Sequence, residues 1–194
     1  MVRTDRGNRP IPACSCTQHR SINVHRAVVW STGRVRGTEI KPEGLPQRDK
    51  ANAMPYIPPP MPEQTFQACV VEAGQRYQVP SCILRAVHEI ESSGDLRPGL
   101  EHSNTNGTVD YGATQINTVW INYFQHNFGV TASQIENDAC LAVNGSAYII
   151  RYEINASGDF WAGVGRYHSR TPSEHDRYVR QVAEQAQKFG CYIK

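Results

Sequence analysis

The sequence predicts an all-α fold, with at most a small β-hairpin, preceded by an irregular extension. Three observations predict it. Apolar residues beyond position 64 recur at three- and four-residue spacing, the period of a helix face. No stretch alternates apolar and polar residues long enough to build a sheet. Proline and charge are also split. Nine of the twelve prolines lie in residues 1–62, and residues 1–63 carry ten Lys/Arg against five Asp/Glu. Residues 64–194 carry ten against thirteen.

The 194 residues suffice for one domain with a sizeable core and are too few for two ordinary domains. A net charge of +2 excludes a strongly basic nucleic-acid binder as the default. No run approaches the roughly 18 apolar residues of a membrane span. Residues 1–63 end in Met54-Pro55-Tyr56-Ile57-Pro58-Pro59-Pro60-Met61-Pro62 and show no apolar period. They read as a disordered or irregular basic extension. Residues 64–194 are the folded domain. Arg3, Arg6 and Arg9 supply the charge of a secretory leader, but no apolar stretch of about 7–15 residues follows. Export is not visible in this sequence.

The elements follow in order. Phe66, Cys69, Val70, Ala73 and Tyr77 mark a first helix, which Pro80 stops. Ser81 is the expected cap of a second helix, Cys82 to Ser92, ending at Ser93-Gly94-Asp95. Residues 95–113 are polar and rich in Gly and Asn, a long loop with room for a short hairpin at 100–113. Ile116, Val119, Trp120, Tyr123 and Phe124 mark a third helix. Cys140, Val143, Ala147, Ile150 and Ile154 mark a long fourth. Phe160, Trp161, Val164 and Tyr167 give a short fifth, and Tyr178, Val179, Val182, Ala186 and Phe189 the last. Each stripe is core by default.

One carboxylate breaks its stripe. At about 100° per residue, with Ile83 at zero, Val87 falls at about 40°, Leu84 at about 100° and Glu91 at about 80°. Glu91 therefore lies inside the apolar face of the second helix. Glu89 falls at about 240°, on the solvent side. An ionised carboxylate on an apolar face is costly, so burial raises its pKa. A carboxylic acid that keeps its proton near neutrality is equipped for general acid catalysis. The competing reading is a helix-end Glu at a core edge, hydrogen-bonded to a loop.

Other chemistries lack their patterns. His88-Glu89 does not continue as H-E-x-x-H, and neither G-x-S-x-G nor a P-loop occurs. The seven histidines are scattered, and no metal or cofactor is expected. Of six cysteines, Cys14 and Cys16 lie in the extension and Cys69, Cys82, Cys140 and Cys191 in the domain, none with C-x-x-C spacing. Those four allow three disulfide connectivities or stand as free buried thiols.

Four blocks together resemble the lysozyme-like lytic transglycosylases, specifically the small ones that accompany conjugative transfer, type IV secretion and pilus systems. The blocks are Ala86-Val87-His88-Glu89-Ile90-Glu91-Ser92; Asp110-Tyr111-Gly112-Ala113-Thr114-Gln115-Ile116-Asn117; Asp138 to Asn144 followed by Gly145; and Trp161 to Ser169 ending in Thr171-Pro172. The resemblance covers about residues 66–182.

The resemblance implies a lysozyme-like fold and a role for each matched residue. Glu91 would be the single catalytic acid/base. Ser92 would place the N-acetyl group of the sugar or brace the carboxyl. Gln115 and Asn117 would line a glycan cleft, unless they serve as helix caps. Tyr167 would aim its hydroxyl at Glu91 and the reacting sugar, unless it is core. Gly112 would let the backbone approach the substrate. Cys69 would pair with Cys140, leaving Cys82 and Cys191 for a second bridge. Such bonds and a peptidoglycan substrate imply the periplasm or cell envelope, at odds with the missing signal peptide. The expectation is that the extension is not the native start. The partners implied are glycan strands and components of a secretion or conjugation apparatus, with no nucleic acid, no membrane span and a monomeric chain.

The chain departs from the family pattern at Ala113 and Thr114, where Leu and Met are usual, and at His168, where Asn is usual. The smaller pair would widen the cleft floor or make it more polar. The implied reaction cleaves the bond from N-acetylmuramic acid to N-acetylglucosamine, leaving 1,6-anhydro ends without metal or cofactor. A goose-type muramidase is the nearest alternative. It needs a second carboxylate to hold water, and Asn117 stands where such relatives tend to carry Asp, leaving Asp110 and Asp95 as substitutes. A non-catalytic peptidoglycan-binding subunit, or a helical interaction domain with no glycan affinity, completes the set.

Overall fold

In the computed structural model, residues 58–191 are described. The expected disordered extension lies almost wholly outside them, as do Cys14 and Cys16. The described chain is mostly helical: α1 (Glu63–Tyr77), α2 (Ser81–Ser92), α3 (Thr118–Phe128), α4 (Ala132–Asn137), α5 (Ala139–Ser157), α6 (Phe160–His168) and α7 (Pro172–Lys188). Between α2 and α3 lie three short strands, β1 (Glu101–Ser103), β2 (Val109–Tyr111) and β3 (Ile116–Asn117). The expected fold class holds, and the hairpin gains a third strand.

The centre is α5. Its Ala142, Val143, Ala147, Ile149 and Ile150 are all buried, because α1 packs on one side of it and α6 on another. Asp138 caps it by accepting from the Leu141 amide. Glu153, also buried on α5, is held by the Arg170 guanidinium at 2.7 and 3.0 Å, with Arg166 at 4.0 Å. A buried carboxylate needs such partners. This one ties α5 to the end of α6 and the turn that leads into α7.

A second packing unit is formed by α2 against α7, with α7 also resting on α6. The apolar face of α2, Ile83, Leu84 and Val87, is fully buried there. The sheet is antiparallel in the order β1-β2-β3, with His102 opposite Asp110 and Asp110 opposite Asn117. It flanks the C-terminal end of α2.

Four local expectations are corrected. Pro80, not Ser81, is the N-cap of α2, and no side chain caps it; Ser81 is already helical. A proline ring carries no acceptor with which to cap the first amides of the helix. Ile116 belongs to β3 rather than to the third helix, and Val119 is 67% exposed, so the stripe of α3 is narrower than its spacing suggests. Thr114 is fully buried, and its hydroxyl donates to the Ala142 carbonyl on α5 at 3.1 Å. It widens no cleft floor. Helix α4 was not anticipated: its six residues are too few to show a period, although Thr131 and Gln134 form a capping box.

Candidate active site

Glu91 lies in the last turn of α2, on the side that meets α7. There Tyr178, itself 1% exposed, donates its hydroxyl to Glu91 Oε1 at 2.6 Å. Burial dominates the electrostatics of this carboxyl and raises its pKa from 4.5 to about 7, opposed by the Tyr178 hydrogen bond and assisted by the negative charge of Asp110. Glu89 points the other way, toward a separate cavity of about 300 Å³ lined with Glu63, Arg85 and Phe189.

Ser92 follows directly. Its hydroxyl donates to the Ala113 carbonyl at 2.8 Å, fastening the end of α2 to the turn after β2. That turn, 112–115, has two left-handed residues, Gly112 at φ 74° and Gln115 at φ 50°. The Gln115 side-chain amide donates to the Gly112 carbonyl at 2.9 Å, which accounts for a non-glycine residue in this conformation. The close approach at Gly112 is to protein: a Cβ built there would lie 2.4 Å from the Ile135 carbonyl oxygen. Asn117 caps α3 by accepting from the Val119 amide at 3.1 Å, while its own amide donates to Asp110 Oδ1 at 2.7 Å.

Asp110 is therefore a fixed second carboxylate. Its Oδ2 accepts from Asn104 at 2.8 Å, so an amide holds each oxygen. Its charge acts on Glu91, on Tyr167 and on His168, which places all four in one electrostatic neighbourhood.

Tyr167 does not bond to Glu91. Its hydroxyl donates to the Thr114 carbonyl at 2.5 Å, and its ring stacks on Tyr178 with centroids 6.4 Å apart. Burial, and after it the negative charge of Glu91, keeps both phenols well above their usual pKa, so both remain donors. The structure thus gathers Glu91, Ser92, Gln115, Asn117 and Tyr167 around the same turn and adds two residues, Asp110 and Tyr178. The helical spacing puts Tyr178 on the core stripe of the last helix. The available signal was chemical: a tyrosine on a buried stripe needs a partner for its hydroxyl.

Two disulfides hold this frame. Cys69 of α1 joins Cys140 of α5, with Cα atoms 5.3 Å apart, and Cys82 of α2 joins Cys191 after α7, at 6.0 Å. They place the folded chain in an oxidising environment. Among the described residues, no helix is long and apolar enough to cross a membrane, and no group of three His, Cys, Asp or Glu gathers as a metal site.

Known bacterial proteins resemble this chain. It is 29% identical over 131 residues to the protein IpgF of Shigella flexneri, an alignment covering 61% of this chain and 84% of IpgF. It is 28% identical over 125 residues to the invasion protein IagB of Salmonella typhimurium, covering 62% and 76% respectively. No protein-family model matches the chain.

Proposed function

We propose that the domain is a peptidoglycan lytic transglycosylase in which Glu91 is the single acid/base, acting outside the cytoplasm to open the wall locally for a secretion apparatus. The observation that carries this reading is the Glu91 carboxyl, braced on one oxygen by Tyr178 and with a pKa that burial raises to about 7. With Oε1 accepting from Tyr178, Oε2 is the oxygen left to carry the proton.

In the first step, Glu91 Oε2 gives its proton to the oxygen that links N-acetylmuramic acid to N-acetylglucosamine. The bond from the muramic C1 to that oxygen breaks, and positive charge develops at C1. In the second, the 6-hydroxyl of the same sugar attacks C1 while Glu91 takes the hydroxyl proton. A 1,6-anhydro ring closes, Glu91 is again protonated, and no water is consumed. Tyr178 favours the ionised form between the steps, because its hydrogen bond stabilises the carboxylate. Gln115 carries an amide that both donates and accepts, suited to hydroxyl and acetamido groups, whereas the Asn117 amide is taken up in capping α3 and in holding Asp110 and Thr108.

A second reading has one specific observation in its favour. Asp110 supplies the fixed carboxylate that a hydrolase needs to direct water, as in glycosidases that use paired carboxylates. Mass spectrometry of the products from purified peptidoglycan decides between the two. Anhydro-muramyl products, absent with Glu91→Gln, are expected. Reducing-end products would replace the lyase with a muramidase. A fully active Glu91→Gln variant would remove Glu91 from the chemistry altogether.

A further inference from the structure

The Tyr178 phenol that holds Glu91 is itself held. The His168 ring, at the end of α6, lies parallel to the Tyr178 ring, with centroids 4.7 Å apart and planes inclined by 7°. The contact is built into the helix pairing. At Gly165, one turn before His168, a Cβ would fall 2.3 Å from the His175 ring, one turn before Tyr178. Glycine at 165 thus lets α7 approach α6 closely enough for the next pair of rings to stack.

We infer that His168 is a positioning residue: stacked on Tyr178, it fixes the phenol in the orientation from which the hydroxyl reaches Glu91. This deepens the reading of Glu91 as acid/base and rests on it. The Tyr178 ring has one hydrogen bond at its tip and stacking partners in His168 and Tyr167. A hydrogen bond of 2.6 Å depends steeply on the angle of its donor. Core packing confines the buried Tyr178 ring, and the parallel His168 face adds a directional restraint on its plane.

The imidazole suits this use. Burial and the Arg177 charge lower its pKa, while Glu174 of α7 and Asp110 of β2 act in the opposite sense. The net effect disfavours the charged imidazolium. The ring presents a flat face to the phenol.

The test reads Glu91 directly rather than through turnover. The carboxyl carbon of Glu91 is titrated by NMR in protein labelled at its glutamate carboxyls, for the unaltered chain, His168→Ala, His168→Phe and Tyr178→Phe. His168→Ala is expected to move the Glu91 midpoint alkaline, toward that of Tyr178→Phe and by up to roughly one pH unit, as a hydrogen bond to the charged form loosens. His168→Phe keeps the stack and is expected to titrate like the unaltered chain. On glycan strands, His168→Ala should lower kcat more than it raises KM.

An unchanged midpoint in His168→Ala would overturn the inference. So would a His168→Phe midpoint matching that of His168→Ala, since stacking would then not be the cause. A chain whose Glu91 responds as expected but cleaves no peptidoglycan would refute the proposed function and leave the His168 restraint standing.

Discussion

The hydroxyl of Tyr178 on α7 donates to the carboxyl of Glu91 on α2 across 2.6 Å, although 87 residues separate the two in sequence. Helices that pack mainly to bury Ile83, Leu84, Val87 and Val182 thereby also fix one acidic group. The same burial that stabilises the α2–α7 pair raises the Glu91 pKa. Packing and chemistry are one feature here, and separate variants can pull them apart.

Tyr178→Phe and Asp110→Asn should shift the pH profile of cleavage in opposite directions. The Tyr178 hydrogen bond lowers the Glu91 pKa and the Asp110 charge raises it. Activity as a general acid is lost as pH rises through about 7, where Glu91 ionises. Removing the phenol hydroxyl moves that limb alkaline, and removing the Asp110 charge moves it acid, each by an amount on the order of one pH unit. Rates on a soluble glycan fragment between pH 4 and 9 check both. Shifts of the same sign would show that one of the two does not act through the Glu91 carboxyl as assigned.

Glu91→Gln should stabilise the protein at neutral pH and leave it unchanged in acid. A carboxyl whose folded pKa stands at about 7 against 4.5 unfolded favours folding fully only below about 4.5. That contribution is lost as pH rises through 7. Since one pH unit corresponds to 1.36 kcal/mol, the cost at pH 8 is about 3 kcal/mol. The amide still accepts from Tyr178 and carries no charge to desolvate. Urea midpoints at pH 4 and pH 8 measure the difference, and a gain independent of pH would contradict the buried-acid assignment.

Much of this arrangement was legible beforehand. Period alone marks α1, α5 and α7, because burial on one side requires it, while α2 is bounded by Pro80 and by Ser93-Gly94-Asp95. Glu91 stood out by its angle between Val87 and Leu84. What was hidden had physical causes. Helix α4 spans under two turns, and β3 is two residues long, so neither shows a period. Tyr178 sits at a correct core position; its buried hydroxyl signals that a partner is needed, but nothing local says that the partner is a carboxylate 87 residues away. Tyr167 bonding to Thr114 rather than Glu91 follows from the 112–115 turn, whose left-handed residues place that carbonyl beside α6.

The two disulfides should contribute similar stability yet affect the site differently. Their sequence separations, 71 and 109 residues, correspond to about 4–5 kcal/mol each by loop entropy. Only Cys82–Cys191 secures the end of α7, the helix that bears Tyr178. Replacing Cys82 and Cys191 with Ser should speed amide hydrogen exchange throughout α7, whereas replacing Cys69 and Cys140 should speed it in α1. Equal acceleration of α7 in both variants would mean that α7 is held by packing alone.

Gly112→Ala should be far more damaging than Gly107→Ala, although the two glycines have similar backbone angles, φ 74° and 82°. A left-handed alanine costs about 1–2 kcal/mol at either position. At Gly107 nothing lies within 4 Å of an added Cβ, so that cost stands alone. At Gly112 the Cβ would meet the Ile135 carbonyl oxygen at 2.4 Å and Ala142 at 3.3 Å, and backbone cannot move aside as a side chain can. The turn itself must shift, and with it the Ala113 carbonyl that receives Ser92, the Thr114 carbonyl that receives Tyr167 and the Gln115 amide. Loss of stability beyond about 3 kcal/mol is expected at position 112, together with a raised KM for glycan in whatever fraction folds. Thermal unfolding and steady-state kinetics of both variants check this. Equal destabilisation at the two positions would show that the turn yields freely, and that it does not hold the cleft residues in register.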